Sequence, residues 1–254
     1  MPALLDLQAV TMRFGGLVAV NAVSLTIDQG NLYGLIGPNG AGKTTLFNVI
    51  TGVYEPTDGK VLLQGRNIAG RRPCDINGLG IARTFQNIRL FQNMTVLENV
   101  KVAFDRKQHA GVFDGMVHTK RHREEEARID REARELLKIF KLDALAEDRA
   151  QRLAYGLQRR LEIARAMATQ PQLLCLDEPA AGMNPQEAHD LMQLIRWIRD
   201  HFGMAILLVE HNMKVVMGVC ERVHVLDYGS TIANGTPAEI RADPRVIEAY
   251  LGGA

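Results

Sequence analysis

Apolar residues in the second half of the chain form short continuous runs, separated by longer stretches of helical periodicity. The runs Leu173–Leu176, Ala205–Val209 and Val223–Leu226 have the length and composition of strands. One helix is predicted over 157–168 and another over 186–201. Such apolar strands, alternating with helices, predict a parallel sheet that is covered on both faces.

The helix predicted over 186–201 is amphipathic. Apolar residues recur on one of its faces: Ala188, Leu191, Met192, Ile195 and Ile198. The other methionine and aromatic residues of these helices, including Trp197, are interpreted as core residues and not as cofactor contacts.

The first part of the chain has a different pattern. Leu5–Leu7, Val23–Ile27 and Lys60–Leu63 alternate apolar and polar residues or run short and apolar. Turn signals at Asp28–Gly30 and Thr57–Gly59 separate them. This pattern predicts antiparallel strands.

Residues 120–140 predict an amphipathic helix in a mostly helical segment. Its apolar positions recur at helical spacing: Ile129, Ala133, Leu136, Leu137 and Phe140. The charged run over 120–126 is interpreted as a solvated face without a function of its own.

Composition narrows the class of protein. The chain has 254 residues, 46% hydrophobic and 23% charged, with no linker, so any second domain is expected as an insertion within one fold. Its net charge of +1 does not indicate a nucleic-acid binder.

The N-terminus lacks a signal pattern and no apolar run approaches ~18 residues, which predicts a cytoplasmic protein. Cys74, Cys175 and Cys220 are interpreted as small packed hydrophobes.

The stretch 37–45 fits the phosphate-loop pattern G-x-x-x-x-G-K-[ST] at every specified position. A predicted strand at 31–36 precedes it and a predicted helix at 45–50 follows it, which is the required order. Glycines let backbone N–H groups surround phosphate oxygens, Lys43 reaches the β- and γ-phosphates, and the Thr44 hydroxyl is suited to Mg²⁺. The chain is therefore expected to bind a nucleoside triphosphate.

Two further polar sites follow apolar strands. Asp177 and Glu178 end the strand at 173–176, where Asp177 is suited to hold hydrated Mg²⁺ and Glu178 to deprotonate the attacking water. His211 follows the strand at 205–209 and is suited to donate to the γ-phosphate. Ligands of such sheets lie at the carboxyl ends of the strands, so these side chains are expected at one edge.

Along essentially its whole length the chain resembles an ATP-binding-cassette nucleotide-binding domain. Six motifs occur in the family's order: Phe14, the phosphate loop at 37–45, Gln86, the signature at 153–157, the strand 173–178 with its Asp and Glu, and His211. The resemblance implies that Phe14 stacks on adenine, that Gln86 contacts both Mg²⁺ and the attacking water, and that the signature binds ATP held by a partner subunit.

The resemblance also implies the fold and the site. The expected fold is α/β: a P-loop NTPase core with a mostly parallel sheet, an N-terminal antiparallel β subdomain and an inserted helical subdomain. Core and β subdomain are expected over 1–86 and 157–254, and the helical subdomain over 87–156. The implied ATP-binding residues are Phe14, Gly37, Pro38, Asn39, Gly40, Ala41, Gly42, Lys43, Thr44, Thr45 and Gly156. The implied catalytic residues are Glu178, His211, Gln86 and Lys43, and the implied Mg²⁺ ligands are Thr44, Gln86 and Asp177.

Within the family, four segments closely resemble one of the two ATPase subunits of branched-chain amino acid importers: 153–156, 159–166, 178–185, and the ending from 233–240 to 249–252. This implies an ATPase dimer that drives two membrane permease subunits, together with a substrate-binding protein. The chain is then expected on the cytoplasmic face of the membrane. Phe91, Met94, Val96 and Leu97 are expected to line a groove for a short permease helix.

The signature departs from the family's usual Leu-Ser-Gly-Gly-Gln. Ala154, Tyr155 and Leu157 replace Ser, Gly and Gln, and Asn184 stands where Asp is usual. Losing the Ser hydroxyl removes a charge-assisted hydrogen bond to the partner's γ-phosphate, worth ~1.5–3 kcal/mol. This favours a heterodimer with a second, different ATPase and two unequal nucleotide sites. Equivalent sites remain the alternative, if Gly156 and its neighbouring N–H groups suffice.

Three other functions stay open at this stage. A different transporter ATPase, such as that of a lipopolysaccharide exporter, shares the core motifs. A cytoplasmic cassette ATPase without a transporter is disfavoured, because the chain has no second cassette, coiled coil or strongly basic surface. A module that binds nucleotide without turnover is disfavoured by Glu178 and His211.

Overall fold

The computed structural model describes residues 3–104, 120–211 and 213–251. Contacts between Cα atoms divide the chain into two compact units. The first comprises residues 1–83 and 171–254, and the second comprises residues 84–170. The sequence-based domain boundaries at 87 and 156 remain a prediction.

The first unit contains two sheets. Its strands are β1 Leu5–Phe14, β2 Leu17–Ile27, β3 Leu32–Ile36, β4 Asp58–Leu63, β5 Arg66–Asn67, β6 Ile81–Arg83, β7 Leu173–Asp177, β8 Ala205–Val209, β9 Arg222–Asp227 and β10 Ser230–Gly235. Strands β2-β1-β4-β5 form an antiparallel sheet. The order of the larger sheet is β10-β9-β3-β8-β7-β6, and only β10 is antiparallel within it. The expected antiparallel subdomain and mostly parallel sheet are confirmed.

The helices predicted over 45–50 and 186–201 are present in the first unit, which has six helices among its described residues. They are α1 Lys43–Ile50, α2 Pro73–Gly78, α6 Pro185–Phe202, α7 Met213–Val219, α8 Pro237–Ala242 and α9 Pro244–Leu251, numbered along the described chain. Strands β3, β7 and β8 are buried at every position, because a parallel sheet has no solvated face. The predicted face of α6 is buried at Leu191, Met192, Ile195 and Ile198 and half-buried at Ala188.

Two interpretations of apolar residues are wrong. Trp197 is 45% exposed and stacks on the ring of His201, with 4.4 Å between centroids. Cys74 is exposed, because Ile76 is the buried residue of the short helix α2, whereas Cys175 and Cys220 are buried as expected. Burial raises the pKa of both buried thiols to about 12, so they remain protonated.

The second unit is helical. Its helices are α3 Val96–Phe104, α4 Lys120–Ile139 and α5 Tyr155–Ala168, with 3₁₀ turns at Asp143–Leu145 and Ala150–Arg152. The predicted apolar face of α4 is buried: Ile129, Ala133, Leu136, Leu137 and Phe140. The expected inserted helical subdomain is therefore present. Among the residues that the structure describes, no helix is long and apolar enough to cross a bilayer.

Candidate nucleotide site

The phosphate loop connects the buried strand β3 to helix α1, as predicted. Gly37 begins the loop with φ 152°, and a Cβ added there would lie 2.1 Å from the carbonyl oxygen of Leu226. Gly42 ends it with φ 98°, and a Cβ there would lie 2.4 Å from the carbonyl oxygen of Ala19. These two positions accept only glycine, because a side chain would push the loop away from β2 and β9.

Lys43 is held inside this loop. Its Nζ donates to the carbonyl oxygens of Gly37, at 2.7 Å, and Pro38, at 2.8 Å, and the residue is only 5% exposed. Burial lowers the pKa of the Lys43 ammonium, while the carboxylates of Glu178 and Asp177 raise it. The positive charge and the two carboxylates therefore share one site.

The start of α1 is open to an anion. Its N-cap is Gly42, which supplies no side-chain cap, and the first turn contains no acidic residue. Uncapped N–H groups at a helix N-terminus favour negative charge. Thr44 is exposed and Thr45 is half-buried, and Asn39 and Gly40 at the tip of the loop are exposed. The residues present fit a polyphosphate.

Asp177 ends β7 at the same edge of the sheet and is 4% exposed. Arg83 of β6 lies 3.6 Å from it, between Nη2 and Oδ2. The same guanidinium donates to the side-chain oxygens of Asn48 on α1 and of Thr51 directly after it, both at 2.8 Å. Arg83 therefore ties the carboxylate to the helix that follows the phosphate loop, a role that no sequence pattern indicated.

Glu178 and His211 follow neighbouring strands. Asp177 pairs with Val209 in the parallel register of β7 and β8, and the Glu178 N–H donates to the Val209 carbonyl at 2.8 Å. Glu178 Oε1 lies 2.5 Å from His211 Nε2. Glu178 has a φ of 46°, a conformation that is uncommon for a residue with a side chain and clusters at functional sites.

Glu210 supports the loop after Glu178. It is 4% exposed, and its Oε1 accepts the N–H of Ala180 at 3.0 Å. Sequence reasoning missed this residue. In the sequence, the only indication of its role was its position directly after a predicted buried strand and before His211.

Phe14 lies at the end of β1 and is 42% exposed. Its ring packs edge-on against Tyr54, with 5.2 Å between centroids and 77° between the planes. An exposed aromatic ring with a fixed orientation is suited to stack on a base. Tyr54, which orients it, was not predicted.

The remaining two site residues belong to the second unit. Gly156 lies in the first turn of α5, whose N-cap, Ala154, makes no side-chain cap hydrogen bond. The carbonyl oxygen of Gln86 accepts from Arg159 Nη2 at 2.7 Å. Phe91 and Met94 are 48% and 36% exposed, whereas Val96 and Leu97 are buried, so the expected groove lining is wrong for the last two. Both lie in the first turn of α3 and are among the buried residues of that helix.

Magnesium fits the oxygen atoms of the first unit. A hydrated Mg²⁺ binds one or two protein oxygens together with substrate phosphates. The Thr44 hydroxyl at the start of α1 and the Asp177 carboxylate at the end of β7 are ligands of this kind.

Comparison with known proteins identifies the class of ATPase. The model of the ABC transporter family matches residues 20–181. A second model, described as branched-chain amino acid ATP-binding cassette transporter, matches residues 230–254. The chain belongs to the ABC transporter family of ATPases.

Within this family, three similar proteins have names that describe the same role. The high-affinity branched-chain amino acid transport ATP-binding protein LivG of Salmonella typhimurium is 50% identical over 252 residues, which cover 99% of this chain and 98% of LivG. LivG of Escherichia coli K12 is 49% identical with the same coverage. The corresponding protein BraF of Pseudomonas aeruginosa is 46% identical over 99% of this chain and 98% of BraF.

Solved structures agree with the fold. The ADP conformation of MJ1267, an ATP-binding cassette of an ABC transporter, superposes with a TM-score of 0.86 at 31% identity, covering 99% of this chain and all of that one. The dimeric post-hydrolysis state of the cassette MJ0796, bound to ADP and phosphate, gives 0.77 at 25% identity over 92% of this chain and 98% of that one.

Proposed function

We propose that this chain is the ATP-hydrolysing subunit of an importer for branched-chain amino acids. The single observation that carries the chemistry is the arrangement of charges at one edge of the parallel sheet. There the carboxylates of Glu178 and Asp177 act to raise the pKa of Lys43, and Glu178 contacts His211. The identity of the transported substrate is supported by the similarity to LivG and BraF over nearly the whole chain.

Each residue has a role in this mechanism. Lys43 and the N–H groups of the phosphate loop bind the phosphates, and Phe14 stacks on adenine. Thr44 and Asp177 would hold Mg²⁺, with Gln86 as the further ligand that the family resemblance implies, and the ion would neutralise charge on the phosphates. Glu178 accepts a proton from the attacking water, and His211 orients that carboxylate and donates to the γ-phosphate.

The working assembly contains two ATPase subunits and two permeases, with a substrate-binding protein outside the membrane. Gly156 and the start of α5 bind the ATP held by the other ATPase subunit. Phe91 and Met94 are exposed and apolar, and so suit contact with a permease helix. The chain then lies on the cytoplasmic face of the membrane through its permeases.

Phosphate release by the assembled, purified transporter tests the enzymatic part. We expect hydrolysis that requires Mg²⁺ and is lost in Lys43→Ala. Crosslinking from Cys substituted at Phe91 or Met94 to a permease cytoplasmic loop tests the docking part. A complex that assembles and hydrolyses ATP, yet gives no crosslink from either position, would remove the docking assignment alone.

A further inference from the structure

Helix α5 contains an ion pair that is almost completely buried. Arg159 is 0% exposed and Glu162 is 2% exposed, and Arg159 Nη1 lies 2.7 Å from Glu162 Oε2. Taking two charges out of water is costly, and apolar residues of similar size often replace such a pair without loss of stability. Packing of α5 alone therefore does not explain why these two residues are charged.

Both side chains bind the backbone of residues 85–89, here named the glutamine segment. Arg159 donates to the carbonyl oxygen of Phe85 at 2.6 Å through Nη1 and to that of Gln86 at 2.7 Å through Nη2. Glu162 Oε1 accepts the N–H groups of Phe85 at 3.4 Å and Arg89 at 3.2 Å. The guanidinium fork and the carboxylate thus fix the main chain on both sides of the Gln86 side chain.

The chain beyond this segment is fixed as well. Asn99 of α3 is fully buried, and its side-chain oxygen accepts the N–H of Phe91 at 2.9 Å. Its amide donates to the carbonyl oxygens of Phe91 at 3.0 Å and Thr95 at 2.9 Å. Side chains of α5 and α3 therefore hold the chain from Phe85 to Phe91.

We propose that Arg159 and Glu162 are positioning residues for ATP hydrolysis. They hold Gln86 by its backbone, so that its side chain is presented in one orientation, and they attach it to α5, whose first turn contains the signature residue Gly156. A displacement of α5 is then transmitted to Gln86 through two charged hydrogen-bonding groups. This inference rests on the proposed function, because it gives Gln86 a role in hydrolysis.

The test uses the full-length chain in its assembled transporter. In the double variant Arg159→Met/Glu162→Leu the buried charges and the hydrogen bonds to the glutamine segment disappear together, while apolar volume is retained. We expect kcat to fall by ~10²-fold, since a displacement of about 1 Å in a positioning group has effects of that order. Binding of ATP without Mg²⁺, measured by fluorescence titration, is expected to stay within twofold. Hydrogen exchange at the Phe85 and Arg89 amides is expected to accelerate, with α5 itself still protected.

A double-mutant cycle with Gln86→Ala separates positioning from general damage. If the pair acts through Gln86, the triple variant is no slower than Gln86→Ala alone. The proposal would be overturned if the loss of kcat in the triple variant were the product of the losses in Gln86→Ala and in the double variant. A wild-type kcat in the double variant would also overturn it. Should the double variant not fold, Arg159→Lys replaces it under the same criteria, because Lys keeps the charge but lacks the two-pronged donor.

A failure of the proposed function would give a different result from a failure of the positioning proposal. Wild-type protein without hydrolysis would contradict the function itself, and unchanged exchange at Phe85 and Arg89 in the variants would contradict the anchoring. A wild-type rate for Gln86→Ala would overturn the positioning proposal, while hydrolysis by the wild type would still support the ATPase.

Discussion

Glu178 and His211 follow two different strands, β7 and β8, and their side chains meet with 2.5 Å between Oε1 and Nε2. The parallel register of β7 and β8 places them side by side, since Asp177 pairs with Val209. The contact with the imidazole restricts the orientation of the Glu178 carboxylate. This geometry supports Glu178 as the general base.

Replacing Glu178 by Gln is expected to reduce ATP turnover by ~10²–10⁴-fold, because the amide still contacts His211 but does not accept a proton. ATP binding is expected to be unchanged, since Lys43 and the loop are intact. Phosphate release and nucleotide titration measure the two effects. Glu248→Gln, an exposed change on α9, is the matched control. Normal turnover by Glu178→Gln in the assembled complex would show that another group is the base.

A second prediction concerns the fit of the phosphate loop. Gly42→Ala is expected to abolish ATP binding and to lower the free energy of unfolding, because its Cβ would lie 2.4 Å from the Ala19 carbonyl oxygen. Gly40→Ala is the control: φ is also positive, at 79°, but nothing lies within 4 Å of its Cβ. It is expected to show only conformational strain of roughly 1–2 kcal/mol. Equal losses of stability in Gly42→Ala and Gly40→Ala would show that backbone strain alone, and not the contact with Ala19, destabilises the loop.

Acid stability is the third prediction. His224 of β9 is fully buried, with Nε2 2.9 Å from the Thr231 hydroxyl, and burial lowers the pKa of its imidazole from 6.5 to about 4. The unfolded chain therefore binds a proton more readily than the folded one. This contribution to stability is complete above pH 6.5 and is lost as the pH falls towards 4, by up to roughly 3 kcal/mol.

Urea unfolding at pH 7.5 and pH 4.5 measures that loss. In His224→Gln the difference between the two pH values is expected to shrink by most of this amount. His201→Gln, at an exposed position, is the control. An unaltered pH dependence in His224→Gln would assign acid sensitivity to other groups.

The fourth prediction is that two unlike ATPase subunits form unequal nucleotide sites. Ala154, the N-cap of α5, has no hydroxyl where the family's usual signature has Ser, so this chain's signature offers the partner's ATP one hydrogen bond fewer. The ATP bound by Lys43 faces the other subunit's signature and is expected to be held more firmly. Lys43→Ala is then expected to reduce transport more than the matching change in the other ATPase. Equal losses, or full transport with this chain as the only ATPase, would contradict the prediction.

Local patterns in the sequence were sufficient to predict much of the fold. The phosphate loop, β7 and β8 carry their own signals, because a buried parallel strand is a continuous apolar run and a phosphate loop needs glycines at fixed spacing. Trp197 was misassigned from its residue type alone. The apolar stripe of α6 runs through Leu191, Ile195 and Ile198, and helical spacing already placed Trp197 outside it.

The supporting residues were not predictable in this way. Arg83 acts through Asp177 and through two side chains at the C-terminal end of α1, and Tyr54 acts through Phe14. These contacts join segments that are distant in the chain, so no spacing within one segment reveals them. Arg159 and Glu162 lie three residues apart, yet their common target, the glutamine segment, becomes visible only in the folded unit.

The most direct test of the central claim is uptake of radiolabelled leucine into vesicles that contain the assembled transporter with its binding protein. Uptake is expected to require internal ATP and Mg²⁺ with the wild-type chain and to be lost with Glu178→Gln, although that variant still binds ATP and assembles. Leucine uptake that continues at the wild-type rate with Glu178→Gln, or that needs no ATP, would contradict the account.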